Sequence, residues 1–238
     1  MSDRATASTE YLQRVLEAWQ KRHWRCRSCL LNNVVEGPHF AYGTINTPIM
    51  IIAQSPGGEG REEGPRTQEK LDLTIEDSYL QKGEWDDGFY LAVLGELTRG
   101  TRFSDFKRST YYTNAVKCPP SRRISLKEPG NLSKALHACQ VYLRGEIASL
   151  DPLLIIAFGH RAARAVLDYT GLSDRQLPSR IHRLRFETPD RRRRIIIFAH
   201  WASRRGDRSG YYREINADFR EEVGLPGGQD MTLARDRA

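Results

Sequence analysis

LLIIAF (residues 153–158) is a run of six apolar residues, with Asp151-Pro152 before it and Gly159-His160 after it. A run this short and uninterrupted has no polar face to offer water, so it reads as a strand buried on both sides, as the strands of a parallel sheet are. Three more runs of the same kind lie on either side: PIMIIAQ (48–54), TYYTNAV (110–116) and RIIIFA (194–199). Helical candidates separate them at 89–99, 131–150 and 161–169. A further helix at 211–223 closes the fold, and one at 8–23 opens it with Leu12, Val15, Leu16 and Trp19 at helical spacing. Asp151-Pro152 ends the long helix and starts the third strand, with the residue before proline expected outside the helical region. Residues 183–187 alternate Leu184 and Phe186 with charge before a Pro189-Asp190 turn, so a short β-ribbon feeds the last strand. Strands alternating with helices predict an α/β fold with a parallel sheet covered on both faces. Functional groups in such sheets gather beyond the carboxyl ends of the strands, which marks 54–59, 114–118, 159–160 and 200–205.

A chain of 238 residues suits one large α/β domain. The expected organisation is an N-terminal helix (1–25) packed on a domain spanning 26–224, then a flexible tail (225–238). No apolar run approaches the roughly 20 residues of a membrane span, and the N-terminus lacks a continuous apolar block, so a cytoplasmic protein without membrane contact is expected. A monomer is expected as well. The formal charge is +7, but its distribution matters more. Residues 175–213 hold twelve Arg or Lys against three acids, and 99–127 hold eight against one, while 59–96 hold eleven acids against four bases. Two basic stretches on either side of an acidic one suggest a face for a polyanion, gathered at the carboxyl edge of the sheet.

The four cysteines are Cys26 and Cys29, as C-x-x-C, then Cys118 and Cys139. In an intracellular chain this pattern favours metal over disulfides. A zinc ribbon would use two close pairs, whereas here the second pair is widely spaced. Four thiolates also hold a cubane iron–sulfur cluster, which is larger than one ion and tolerates long intervals between its ligands. Zinc, a cluster and separate buried thiols all remain open on spacing alone.

The order of motifs resembles a known family. Cys26-x-x-Cys29, Pro56-Gly57 after a strand, TNAVKCPP (113–120), Cys139, L-x-P-x-x-I-I-A-F-G (150–159) and a strand ending at His200 are similar to the iron–sulfur uracil-DNA glycosylases, families 4 and 5 of their superfamily. The resemblance implies a central four-stranded parallel sheet flanked by helices, and a [4Fe-4S] cluster on Cys26, Cys29, Cys118 and Cys139. It implies DNA, single- or double-stranded, as the partner, and hydrolysis of the N-glycosidic bond of a flipped uracil or related deaminated base. The base departs as an anion while the sugar gains oxocarbenium character, so the site must stabilise negative charge on the base. Asn114 matches the motif asparagine that reads the base edge. His200 matches the histidine that faces the developing anion. Ser55, Pro56, Gly57 and Glu59 fall in the first motif, and His160 stands at another strand end without a motif match, in a supporting place.

Departures from the family pattern sharpen the functional question. Where the family carries an acid to polarise water, this chain carries Gln54, and an amide orients water without accepting its proton. On that reading Gln54→Glu restores a proton acceptor, and Glu59 is a nearby substitute acid. Residues 60–68 lack the aromatic that stacks on the base, leaving Phe40 or Tyr79 to replace it. After His200 the family's Pro-Ser is Trp201-Ala202, with Trp201 either a wedge for the duplex or a core residue. Ser203, Arg204 and Arg205 follow as phosphate contacts, with Lys117, Arg122 and Arg123 on the other basic stretch. SRRIS (121–125) echoes the Lys-Arg-Arg-Ile-His loop of a DNA-crosslinking branch, but Ser125 has no adjacent base to make it a nucleophile. The alternative to an excising enzyme is a glycosylase-fold protein that binds DNA with little or no excision.

Overall fold

The computed structural model describes residues 29–31, 41–43, 48–56, 110–120, 124–172, 177–178 and 181–199, with 41–43 described as backbone. These contain β1 (Ala41–Gly43), β2 (Ile49–Ala53), β3 (Thr110–Asn114), α1 (Pro129–Leu150), β4 (Leu154–Phe158), α2 (Gly159–Thr170), β5 (Leu184–Glu187) and β6 (Arg194–Phe198). The strands form one sheet in the order β1-β3-β2-β4-β6-β5. The inner four, β3, β2, β4 and β6, are mutually parallel, as the apolar runs predict. Among the described residues an antiparallel strand lies at each edge: β5, the expected ribbon, and β1, which was not expected from the sequence. At three residues, AYG is too short to carry a period, and its pairing with β3 is what makes it a strand.

The inner strands are buried at nearly every position because both faces are covered. Met50, Ile52, Tyr111, Ile155, Ala157, Ile195 and Ile197 form one core with Leu143, Ile147 and Leu150 of α1 and Ala162, Ala163, Val166 and Leu167 of α2. On the opposite face Ile51, Ile156 and Ile196 are equally inaccessible. The buried positions of α1 recur at three- and four-residue intervals from Leu132 to Leu150, and Pro129 at its first turn removes an N–H that the helix leaves unpaired in any case.

The expected end of the long helix holds, but its geometry differs from expectation. Asp151 is not extended; it is left-handed (φ 43°, ψ 57°), and its N–H caps the helix on the Ile147 carbonyl at 3.0 Å. Its carboxylate pairs with Arg193 and, at 3.6 Å, with Arg192. These two interactions hold a conformation that Pro152 disfavours.

The short buried strands therefore set a rigid frame with a direction. The chain leaves β2 for β3 on one side, then returns through α1 to β4 on the other, so the strand order reverses at the β2–β4 pair. The crevice beyond the carboxyl ends at such a reversal is where open α/β sheets bind ligands.

Candidate active site

Asn114 ends β3 in register with Ala53 at the end of β2. The pairing continues past both strands: Ala115 N–H donates to the Ala53 carbonyl and Val116 N–H to the Gln54 carbonyl, each at 2.8 Å. The segment after β3 is thus tied to the segment after β2, and Gln54 and Asn114 are held on adjacent strand ends. Asn114, in register with Ala53, is on the opposite face of the sheet from Gln54, so a base reached by both lies across the carboxyl edge. The Asn114 side chain is 2% exposed, and its Oδ1 has no hydrogen-bond partner among the described residues. Burying a carbonyl oxygen without a donor costs about 1–3 kcal/mol, a cost that a ligand N–H removes.

Gln54, Ser55 and Pro56 are half-buried just beyond β2. Strand alternation puts Gln54 on the Met50 and Ile52 face, which carries α2, and there its Oε1 accepts from Arg161 Nη1 at 3.2 Å. The same Nη1 donates to the Leu126 carbonyl at 2.8 Å. Burial, and after it the nearby charge of Arg164, lower the Arg161 pKa from the ordinary guanidinium value, which still leaves it cationic. Arg161 sits in the first turn of α2, so its contact with Gln54 bridges the two strand ends at which the strand order reverses. His160, beside it, places Nε2 at 3.0 Å from the Pro178 carbonyl and so donates from that nitrogen, tying residue 178 to the start of α2.

The basic residues separate in space. Lys117, expected to contact phosphate, has no exposed side chain, and this assignment is corrected: its Nζ lies 2.6 Å from Glu146 Oε2 and 2.6 Å from Thr113 Oγ1. Glu146 also accepts from Thr113 Oγ1 at 3.1 Å and Tyr111 Oη at 3.2 Å. Burial pushes the Glu146 carboxyl up from the ordinary range, against the pull of Lys117, Thr113 and Tyr111. An ammonium fully buried against a carboxylate cannot reach a phosphate in solvent. The run Arg191–Arg194 corrects a second expectation. β6 begins at Arg194 and runs parallel to its neighbour, so these arginines lie at the amino edge of the sheet, opposite Asn114 and Gln54. Thr188 and Asp190 organise that turn: the Thr188 hydroxyl, then the Arg192 N–H, hold the Asp190 carboxyl below its usual range.

Two of the four cysteines share one buried cluster, and a third packs against that cluster. Cys118 and Cys139, both 5% exposed, belong to one buried cluster with Leu31, Val116, Leu126, Leu132, Ala135 and Tyr142, and Cys29 packs against it. The Lys117 N–H points at Cys139 Sγ, 3.4 Å away. Among the described residues no group of three or more His, Cys, Asp or Glu side chains that could hold a metal ion is found. No described helix is long and apolar enough to cross a membrane. Cys26, Gly57, Glu59, Arg122, Arg123, His200, Ser203, Arg204 and Arg205 lie outside the described residues, as do Phe40, Tyr79, Trp201 and the helices expected at 8–23, 89–99 and 211–223.

The family model for the uracil DNA glycosylase superfamily matches residues 40–220. The chain belongs to the uracil-DNA glycosylase superfamily. It is also similar to the type-5 uracil-DNA glycosylase of Pyrobaculum aerophilum, at 29% identity over 132 residues that cover 55% of this chain and 52% of the relative. The chain therefore spans about half the length of the curated relative it matches. Superfamily membership agrees with the four-stranded parallel core and draws attention to the strand ends described above.

Two residues escaped the sequence reading. Arg161 is 107 positions from Gln54, and nothing in the spacing links them. Glu146 did leave a signal: it occupies an inward position of α1, among Tyr142, Leu143, Ile147 and Leu150. An acid within an apolar stripe must find a buried cation, and Lys117 is that cation.

Proposed function

We propose that this superfamily member is a DNA glycosylase that hydrolyses the N-glycosidic bond of uracil or a related deaminated base in DNA. The observation that carries this reading is Asn114, a buried amide oxygen without a described donor, held rigidly at the strand end where a ligand is expected. A deaminated pyrimidine offers a ring N–H beside a carbonyl, and an amide can accept from the first while donating to the second. His200, two residues beyond the end of β6, is assigned as the donor to the departing base, where a preorganised hydrogen bond strengthens as negative charge develops. Ser55 and Pro56, with Gly57 and Glu59 after them, line the base pocket in this assignment. Incubating the protein with oligonucleotides containing uracil, hypoxanthine or xanthine, followed by alkaline cleavage of abasic sites, tests it directly. Strand scission at one of these bases is expected. Binding without scission would instead support a DNA-binding protein of this fold, the reading that Gln54 in place of the family's acid favours.

We infer that Cys26, Cys29, Cys118 and Cys139 hold a [4Fe-4S] cluster. The burial of Cys118 and Cys139 in one cluster, with Cys29 packed against it, and the Lys117 N–H aimed at Cys139 Sγ support this, since thiolate ligands of such clusters are commonly hydrogen-bonded. When bound, the cluster supplies a cross-link between the Cys26–Cys29 segment, the loop after β3 and α1; no step of base excision uses it. Cys118→Ser is expected to lose iron and soluble yield together, as read by iron analysis and visible absorbance of anaerobically purified protein. Stoichiometric zinc without iron in the parent protein would refute the assignment.

DNA contacts are assigned to Arg122, Arg123, Ser203, Arg204 and Arg205. Reversing the charge at Arg204 and Arg205 is expected to flatten the dependence of log affinity on log salt, by roughly 0.9 for each duplex phosphate that is no longer neutralised. Arg192→Ala, at the amino edge of the sheet and paired with Asp151, is expected to leave that slope unchanged. The reverse pattern would move the DNA to the other edge.

A further inference from the structure

Arg161 decides what Gln54 can do. A guanidinium has five N–H donors and no acceptor, so the Gln54 atom that faces Arg161 Nη1 at 3.2 Å must be the carbonyl oxygen, although an isolated amide could be turned either way. The guanidinium is anchored independently of Gln54, because the same Nη1 donates at 2.8 Å to the carbonyl of buried Leu126. With Oε1 turned to Arg161, the Nε2 amino group is left, without an acceptor among the described residues, at the reversal of strand order.

We propose that Arg161 is a positioning residue that makes position 54 a hydrogen-bond donor to the substrate: it directs the Gln54 Nε2–H2 at a carbonyl oxygen of the flipped base. The proposal rests on the glycosylase reading and deepens it. Position 54 then acts on the departing base, where negative charge collects on carbonyl oxygens, and not on the attacking water. It also agrees with the substrate class already proposed. A donor at 54 fits a base edge that presents a carbonyl and opposes one that presents an exocyclic amine, so bases whose amine has been replaced by oxygen are favoured over their parents.

The Gln54→Glu exchange separates this proposal from the water-orienting reading. A carboxylate at 54 pairs with Arg161, which holds its pKa down, so it neither accepts a proton readily nor donates to the base, and its charge opposes the departing anion. Gln54→Glu is therefore expected to slow single-turnover excision about 10-fold or more, the effect of losing one hydrogen bond to a charged group. Arg161→Met is expected to slow excision similarly, with oligonucleotide affinity unchanged, and Arg161→Lys to restore part of the rate. A Gln54→Glu rate equal to or above wild type overturns the proposal.

A second readout does not depend on turnover. The side-chain amide resonance of Gln54 in labelled protein should shift when a uracil-containing single-stranded oligonucleotide is added, and should not respond in Arg161→Met protein that remains folded and binds the strand. If wild type excises no base but the resonance still shifts, the donor role stands and the enzymatic reading fails. If wild type excises uracil without any shift, the glycosylase reading stands and the role of Arg161 is refuted.

Discussion

Asn114→Ala is expected to lower single-turnover excision about 10²- to 10³-fold, equivalent to roughly 3–4 kcal/mol of transition-state stabilisation, while binding to a uracil-containing oligonucleotide changes far less. The asymmetry follows from where the side chain sits. DNA affinity comes mostly from phosphate contacts, whereas Asn114 is buried at the end of β3 and, in the proposed reading, meets the inserted base. Its Oδ1 has no described partner to lose, so truncation should leave the fold intact and relieve the cost of a desolvated oxygen. Asn114→Asp makes a sharper version of the test: it keeps the shape but adds a negative charge where the departing base becomes anionic, and excision should fall at least as far. His200→Ala is expected to show the same split between rate and binding. Equal losses in rate and affinity for Asn114→Ala would assign it to uniform binding and remove it from the chemistry.

The second large effect is on stability. Lys117→Met leaves Glu146 fully buried without its cation, and breaking a buried pair from one side costs about 3–5 kcal/mol. Against a typical total of roughly 5–15 kcal/mol this is severe, and for a chain of this size it corresponds to a fall in Tm of about 10 °C. In that variant burial acts on the Glu146 carboxyl without the opposing ammonium, so its native pKa rises further above the unfolded value. The native state then holds the proton more tightly than the unfolded chain does. The variant should accordingly be most stable at acid pH and lose stability as pH rises through the ordinary carboxylate range toward the raised native value. Lys117→Met with Glu146→Leu removes both charges and is expected to recover much of the loss, because a pair replaced by apolar groups no longer carries the desolvation penalty. Urea unfolding of the two variants across pH is the measurement. If the single variant matched wild type at neutral pH, Lys117 would not be the counter-ion the distances indicate.

Lys117 also shows where a linear reading goes astray. It stands in a basic stretch, one residue before Cys118 and Pro119-Pro120, and there a lysine suggests phosphate. Its burial depends on Tyr111 and Thr113 lying on the strand face that meets α1, and on Glu146 pointing inward from that helix. Each of these facts is visible in sequence singly, as a strand parity and a helix parity, but their meeting is not. The arginines from 191 to 194 make the same point about charge. They belong to the more basic of the two stretches, yet the direction of β6 carries them to the edge opposite the site. Net charge along a segment constrains its partner class, while the side of the sheet it reaches depends on strand direction.

By itself the sequence determined the elements whose physics is local. Short runs rich in Ile, Leu, Tyr and Thr between helical segments read as strands covered on both faces, and β2, β3, β4 and β6 appear within one or two residues of those runs. The sequence placed a helix at 131–150, ended by Asp151-Pro152, and the parallel-sheet rule located Gln54 and Asn114 at the carboxyl ends before any contact was known. Tertiary structure alone decided the rest. It added the edge strand β1, which is defined by its partner; it buried Lys117 on Glu146; and it set Arg161 against Gln54 across 107 residues of chain. The reason is the range of the forces involved. Burial periodicity and backbone pairing are written into every few residues, whereas the role of a polar side chain depends on which other group it reaches, and only the folded arrangement of strands and helices brings such groups together.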